Sequence, residues 1–218
     1  MYALVHKNKV ISGPRSWDKA FFEFILKRKK IDFEFIPRNP TAEVPFVIDS
    51  DTKIYPAEIV KDNLNPLVEY HRGPLWEIKE DVAVATYDIV EIELGFAKQN
   101  VKNLLAAERY SKEVSGTTTT VQDTKVSVDT SRDGRNVFIQ KYSLMNNDDT
   151  ANWKFPEGWF ILTKSELGDI INVIAEYVQA AFDWEKEISD QIDAETVVQD
   201  LIKYEEIIKP IESEVEND

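Results

Sequence analysis

Two histidines, forty carboxylates and no cysteine bound the chemistry open to this chain of 218 residues. His6 and His71 are far apart and lack the H-x-x-x-H spacing that sets two imidazoles on one helix face. A zinc site would therefore need carboxylates for most of its ligands. Without cysteine there is no thiolate nucleophile and no disulfide. A Ser-His-Asp triad would have to use one of the two N-terminal histidines, and no G-x-S-x-G elbow occurs. Neither G-x-x-x-x-G-K-S/T nor G-x-G-x-x-G is present, and seven glycines leave little backbone to wrap a phosphate. Acid pairs such as Asp148 and Asp149 are expected by chance at this composition and identify no glycosidase. The sequence assigns no catalytic, cofactor-binding or metal-ligating residue.

Other residues point to binding rather than bond-making. Trp153, Phe155, Trp159 and Phe160 crowd one short segment. They read either as a sugar-stacking platform or as a hairpin core resting on Tyr177, Phe182 and Trp184 of a following helix. That helix carries Leu167, Ile171, Ile174, Val178, Ala181, Glu185, Ile188 and Ile192 at steps of 4, 3, 4, 3, 4, 3 and 4, the spacing of a packing seam. Glu185 is its one polar member, either reaching solvent or pairing with a base on a neighbouring helix or subunit. Arg109, Arg132 and Arg135 flank a threonine-rich stretch and read as partners for nearby acids before they read as an anion site.

The elements that must position these residues fall into two styles. Up to about residue 93 the chain reads as strands with one helix. Ala3-Leu4-Val5 and Lys9-Val10-Ile11 form a pair turning at Lys7-Asn8, broken by Gly13-Pro14. Ser16 caps a helix with an apolar stripe of Trp17, Ala20, Phe21, Phe24 and Ile25, and Lys27-Arg28-Lys29-Lys30 suits its C-terminal dipole. Phe33 to Ile36 alternates as a short strand. Prolines at 37, 40, 45, 56, 66 and 74 favour edge strands and loops, and Ala83 to Ile92 reads as a further strand.

From Phe96 the pattern becomes helical. Ala97, Val101, Leu104 and Leu105 line a helix that ends at Ser115-Gly116. Residues 119–128 form a hairpin turning near Asp123-Thr124. Thr130 opens a helix bearing Val137, Phe138, Tyr142 and Met145, closed by Asn146 to Asp149. Trp153 to Leu162 form a second hairpin turning at Pro156-Glu157-Gly158. Thr163-Lys164-Ser165-Glu166 is a capping box for the long helix, and a shorter helix from Thr196 follows a break at 193–195.

Charge is uneven. Residues 1–80 hold 13 Lys+Arg and 12 Asp+Glu, whereas the remainder hold 13 and 28. The acidic part would repel a phosphate backbone, so no nucleic-acid partner is expected. No apolar run approaches the roughly 20 residues of a membrane helix, so no membrane insertion is expected. The start of the chain has no long apolar core and does not read as a secretory signal.

Arg109 with Glu113 closes one helix, and a strand pair runs through Val121 and Val126. Val128-Asp129-Thr130-Ser131-Arg132 leads into the helix of Phe138. Then come the helix start at Leu162-Thr163, the run Val178-Gln179-Ala180-Ala181-Phe182-Asp183-Trp184-Glu185, and Ile192-Asp193-Ala194. This order resembles an uncharacterised domain of tailed phages, commonly encoded beside tail-fibre genes. Met1-Tyr2-Ala3-Leu4-Val5 with Gly13-Pro14-Arg15-Ser16-Trp17 is similar to tail-region proteins of marine phages. The shared motifs are caps and core positions, so the resemblance supplies a context and no catalytic residues.

The expectation is an α+β chain with a strand-rich docking module (1–94), a helix-and-hairpin module (95–204) and a frayed acidic tail (205–218). Its candidate interaction residues are Trp153, Trp159, Phe160, Ile174, Val178, Ala181 and Glu185. The resemblance implies a virion structural protein of the tail, in the baseplate or a tail fibre, made in the host cytoplasm. It would contact other tail proteins and copies of itself, with contact to a host surface receptor left open. A tail-fibre assembly chaperone is the alternative and a small carbohydrate-active enzyme a third reading. The first two readings need no enzymatic activity and no cofactor.

Overall fold

The computed structural model describes residues 1–38 and 44–209 and is α+β, with two compact units, Met1–Glu91 and Ile92–Asp218. Pro40 and the tail beyond Lys209 lie outside the described residues.

The first unit is a mixed sheet. Strands β1 (Tyr2–His6) and β2 (Lys9–Arg15) pair through the expected turn, with Lys7 and Asn8 both at positive φ as a two-residue hairpin requires. Helix α1 (Lys19–Lys29) follows, then β3 (Phe46–Val47), β4 (Thr52–Val60), β5 (Glu69–Ile78) and β6 (Ala83–Glu91). The strand order is β2-β1-β4-β6-β5, with β3 beside β4; only the β4–β6 pair is parallel. Leu4, Ile54 and Ile36 pack with Phe22 and Leu26 of α1 on one face, and Ala3, Val5, Tyr55, Ala57 and Ala83 form a cluster on the other.

Several expectations change here. Gly13-Pro14 does not end β2; the strand runs on to Arg15 through a register shift opposite β1. Gly73-Pro74 lies in the same kind of shift in β5, so both edge strands carry one, and both Gly–Pro bonds are cis. Gly13 sits at φ 130°, where a Cβ would come within 2.9 Å of the Ala3 Cα. Pro56 lies in the interior strand β4, not at an edge. It pairs with Tyr2 of β1 on one side, while on the other β4 changes neighbour there, from β3 at residues 53–54 to β6 at 57–60. Because the Ala57 N–H faces the β1 side, the missing N–H of Pro56 falls in that gap.

The cap of α1 is Asp18 rather than Ser16: its carboxylate accepts the Phe21 N–H at 3.0 Å. Trp17 stays outside the helix, its indole N–H donating to the Arg38 carbonyl. The buried face is Phe22 and Leu26, while Phe24 is exposed. Apolar side chains fill six of positions 20–26, so spacing alone fits either of two adjacent stripes. Phe33 to Ile36 forms no strand and bends at Glu34, although Ile36 is buried against α1.

The second unit opens with α2 (Leu94–Val114), then the hairpin β7 (Thr117–Val121) and β8 (Thr124–Val128), α3 (Arg132–Leu144), the hairpin β9 (Thr150–Phe155) and β10 (Gly158–Thr163), and α4 (Lys164–Ala194). A short 3-10 turn at Gln199–Leu201 and α5 (Lys203–Ile208) follow, in place of a single helix from Thr196. Tyr204 and Ile208 are buried, so the first part of the expected frayed tail is packed helix. The first hairpin turns at Gln122 and Asp123, both at positive φ, one residue earlier than expected. The capping box of α4 forms as its sequence predicts, with Thr163 and Glu166 exchanging hydrogen bonds.

The helices run antiparallel in pairs. Lys102 meets Asp193, Arg109 meets Glu185 and Ser115 meets Tyr177, which fixes α2 against α4. Lys164 donates to the Met145 carbonyl, and a Cβ on Gly168 would lie 3.3 Å from the Tyr142 ring, which fixes α3 against α4. One core joins Val121, Val126 and Val128 of the first hairpin, Ala151, Phe155 and Leu162 of the second, Phe138 of α3, and Leu167, Ile170 and Ile174 of α4.

Candidate interaction surface

The buried charge of the second unit is a linked set, not a free site. Glu113, near the C-terminus of α2, is only 2% exposed. It accepts from the Arg109 guanidinium one turn earlier and from Arg135 of α3 at 2.6 Å. Arg109 also donates to Glu185 of α4 at 3.0 Å. Two cations and two anions thus tie three helices together with no net charge, so Arg109 and Arg135 are both engaged. Arg132, expected to pair likewise, is exposed and makes no ion pair with a described residue. Of the two readings of Glu185, the paired one is found, and its partner lies within the chain. Arg109 also covers the ring of Phe182 at 4.6 Å.

The start of helix α3 is fixed by a cap. Its N-cap is Ser131, whose hydroxyl accepts the Gly134 N–H at 3.1 Å. The expected cap, Thr130, is fully buried and accepts the Gly116 N–H instead. Asp129 holds Ser131 through both carboxylate oxygens, which fixes where the helix starts. Of its thirteen residues α3 buries only Phe138. Val137 is exposed, Ile139 is 52% exposed and Leu144 is 82% exposed.

Between α3 and α4 lies a cavity of about 290 Å³, walled by Arg135 and Ile139 on one side and Ile171, Ala175, Val178 and Phe182 on the other. Phe182 is 41% exposed. A second cleft, of about 630 Å³, runs from the end of β8 to the end of β9 over Phe138. Its one carboxylate, Asp129, is fully engaged with Ser131.

The seven candidate residues divide between these features. Trp153 is half-buried and stacks on Phe138 at 4.5 Å, and Phe160 packs edge-on to Phe155. Trp159 points away from that core and is 71% exposed. Ile174 and Ala181 are buried within the chain, and Val178 is half-buried at the groove. The hairpin core rests on Leu167, Ile170 and Ile174, not on Tyr177, Phe182 and Trp184, because those three rings lie further along α4, where they meet Ser115, Arg109 and Lys112 at the C-terminal end of α2. Trp184 sits under Lys112 at 4.7 Å. Ile139, Ala175 and Leu144 were not singled out by the sequence. The spacing of Ile171, Ala175, Val178 and Phe182 was the available signal for the first groove wall.

Two carboxylates are poised by local donors. The Thr163 backbone N–H holds the Glu166 carboxyl below the ordinary glutamate range, assisted by the Gln122 amide and the Thr163 hydroxyl. The Ser127 hydroxyl, with the Ser127 N–H, does the same for Glu157, joining the turn of the second hairpin to β8. His6 lies 2.8 Å from the Thr52 hydroxyl, which donates to Asp49. Thr52 is fully buried, so that oxygen is out of a substrate's reach. Among the described residues no group of three or more His, Asp or Glu converges to hold a metal ion, and no helix is long and apolar enough to cross a membrane.

A family model, the domain of unknown function DUF4376, matches residues 96–207, which span the helices and hairpins just described. No curated protein and no solved structure matches the chain.

Proposed function

From the premise that the chain belongs to the DUF4376 family, whose description names no activity, we propose that it is a structural component of a phage tail acting through protein–protein contacts. The observation that carries this reading is α3, a helix that buries one of its thirteen residues and leaves Val137, Ile139 and Leu144 in water. Val137 and Leu144, seven residues apart, share one side of α3 and Ile139 lies on another, and exposed apolar side chains on two sides of a helix fit a protein covered by neighbours. Trp159 and Ile161, both exposed on β10, add a second such surface. The motif order from Arg109 to Ala194, which resembles a tail-fibre-associated phage domain, supports the tail as the setting, with other tail proteins and copies of the chain itself as partners.

Quantitative mass spectrometry of purified, salt-washed virions tests the proposal. The expected result is this chain at a fixed small multiple of a tail component. Its absence from particles, with recovery beside fibre protein in infected lysate, would overturn the structural reading in favour of an assembly chaperone.

A further inference from the structure

We propose that the first unit carries a binding pocket for an acidic sugar, at the end of its sheet where the β1–β2 turn meets the turn between β3 and β4. The pocket lies outside residues 96–207 and stands independently of the tail reading.

Two turns build it. Lys7 and Asn8, at φ 50° and 59°, close the first hairpin, and the Lys7 N–H donates to the Asp51 carbonyl at 2.8 Å, which draws the second turn alongside. Val5 pairs with Lys53 and Ala3 with Tyr55, and alternate strand residues share a face, so Lys53 and Tyr55 rise on the same side as Val5. The result is a pocket of about 200 Å³ walled by Lys7, Asn8, Ser50, Asp51, Lys53 and Tyr55. On the other face of these strands His6, Thr52 and Asp49 satisfy one another. In the pocket none of the six side chains makes a hydrogen bond or an ion pair with a described group. For exposed turn residues water is partner enough, but Tyr55 is only 7% exposed. A tyrosine so buried ordinarily finds a partner for its hydroxyl. That oxygen is not sealed in the core, so it opens to the pocket that Tyr55 lines.

The donors and acceptors define what fits. Lys7 and Lys53 set two cations against the single carboxylate of Asp51, so the occupant carries a negative charge. Asn8, Ser50 and Tyr55 add donors beyond what the roughly four lone-pair sites of one carboxylate accept. Asp51, with no cation paired to it, needs a donor on the occupant, which a bare oxyanion such as acetate or sulfate lacks. A carboxylate on a ring of hydroxyls meets both demands, because each hydroxyl donates and accepts. The volume lies below the roughly 300–1,000 Å³ of pockets for drug-sized ligands, which suits a single sugar residue. Asn8 also borders a second cleft lined by the half-buried Trp76 of β5, a ring on which the next sugar of a chain can stack.

Nuclear magnetic resonance titration of the full chain with sodium glucuronate tests this, read from the backbone amides of Lys7, Asn8, Asp51 and Lys53. The expected result is saturable binding with a Kd of about 1 mM, and binding of glucose and of acetate weaker by at least about tenfold, since each lacks half of the required chemistry. Tyr55→Phe removes only the hydroxyl and should weaken glucuronate binding about threefold or more. Lys7→Asn, which suits the left-handed turn, should weaken it about tenfold, and this exposed variant decides the matter if Tyr55→Phe fails to fold. Lys29→Gln, at the end of α1, should leave binding unchanged. Absence of saturable shifts, acetate or glucose binding as tightly as glucuronate, a Kd unmoved in a folded pocket variant, or equal weakening by Lys29→Gln would each overturn the proposal.

Discussion

Glu166 does two jobs at the entry to the long helix, accepting the Thr163 N–H and meeting the positive end of the helix dipole. Both favour its ionised form, so its folded-state pKa lies below the ordinary 4.5. A depressed carboxyl stabilises the fold above its unfolded value, and that contribution is lost as pH falls through the folded value. Glu166→Gln should therefore be less stable than the native chain by about 0.5–1 kcal/mol at pH 7. The gap should close as the pH is lowered from the ordinary 4.5 through the lower folded-state value. Paired urea titrations across that range measure it; a gap that persists at low pH would assign the effect to packing instead. Both partners of this cap lie within four residues, and the sequence shows them. Glu185 is the opposite case. Its partner Arg109 is 76 positions away, and no local pattern chooses between solvent and that guanidinium.

Helix boundaries follow the same division between near and far. The start of α3 is set by Asp129 gripping Ser131 and by Thr130 being drawn into the core, so a cap chosen by residue type falls one position early. Gly134, in the first turn, illustrates the constraint. Ala is the better helix former by about 1 kcal/mol. Here, however, an added Cβ would lie 2.5 Å from the Asp129 carboxylate and 2.8 Å from its carbonyl oxygen. Gly134→Ala is expected to destabilise the chain by about 1–3 kcal/mol, seen as a lower melting temperature; an increase would show that Asp129 yields freely. Helix α1 teaches a related lesson. Its overlapping apolar stripes were readable, but only the sheet beneath decides that Phe22 and Leu26 are the ones covered.

Each of the two units contains its own core. The clusters of the first unit draw on residues 3–83, and the hairpin-and-helix cluster of the second on residues 121–174. Residues 92–218 made alone should consequently fold, giving a helical circular dichroism spectrum and a cooperative melt. An unfolded fragment would mean that the second unit depends on the first. At this scale the family match, residues 96–207, and the proposed contacts on α3 and β10 belong to the same unit.

The sequence by itself determined the α+β class, the first hairpin turn, the turns of both later hairpins within a residue, the seam and the capping box of α4. These depend on interactions within a few residues, where side-chain type and spacing set the local free energy. Only the tertiary structure decided that β2 continues through Gly13-Pro14, that Pro56 sits inside a sheet, and that Glu113 gathers two arginines. It alone left Ile139, Leu144 and Trp159 in water while taking Ile174 and Ala181 inside. Burial and ion pairing are properties of contacts between distant segments, and the same apolar residue at the same helical spacing serves equally well as core or as surface until its neighbours arrive.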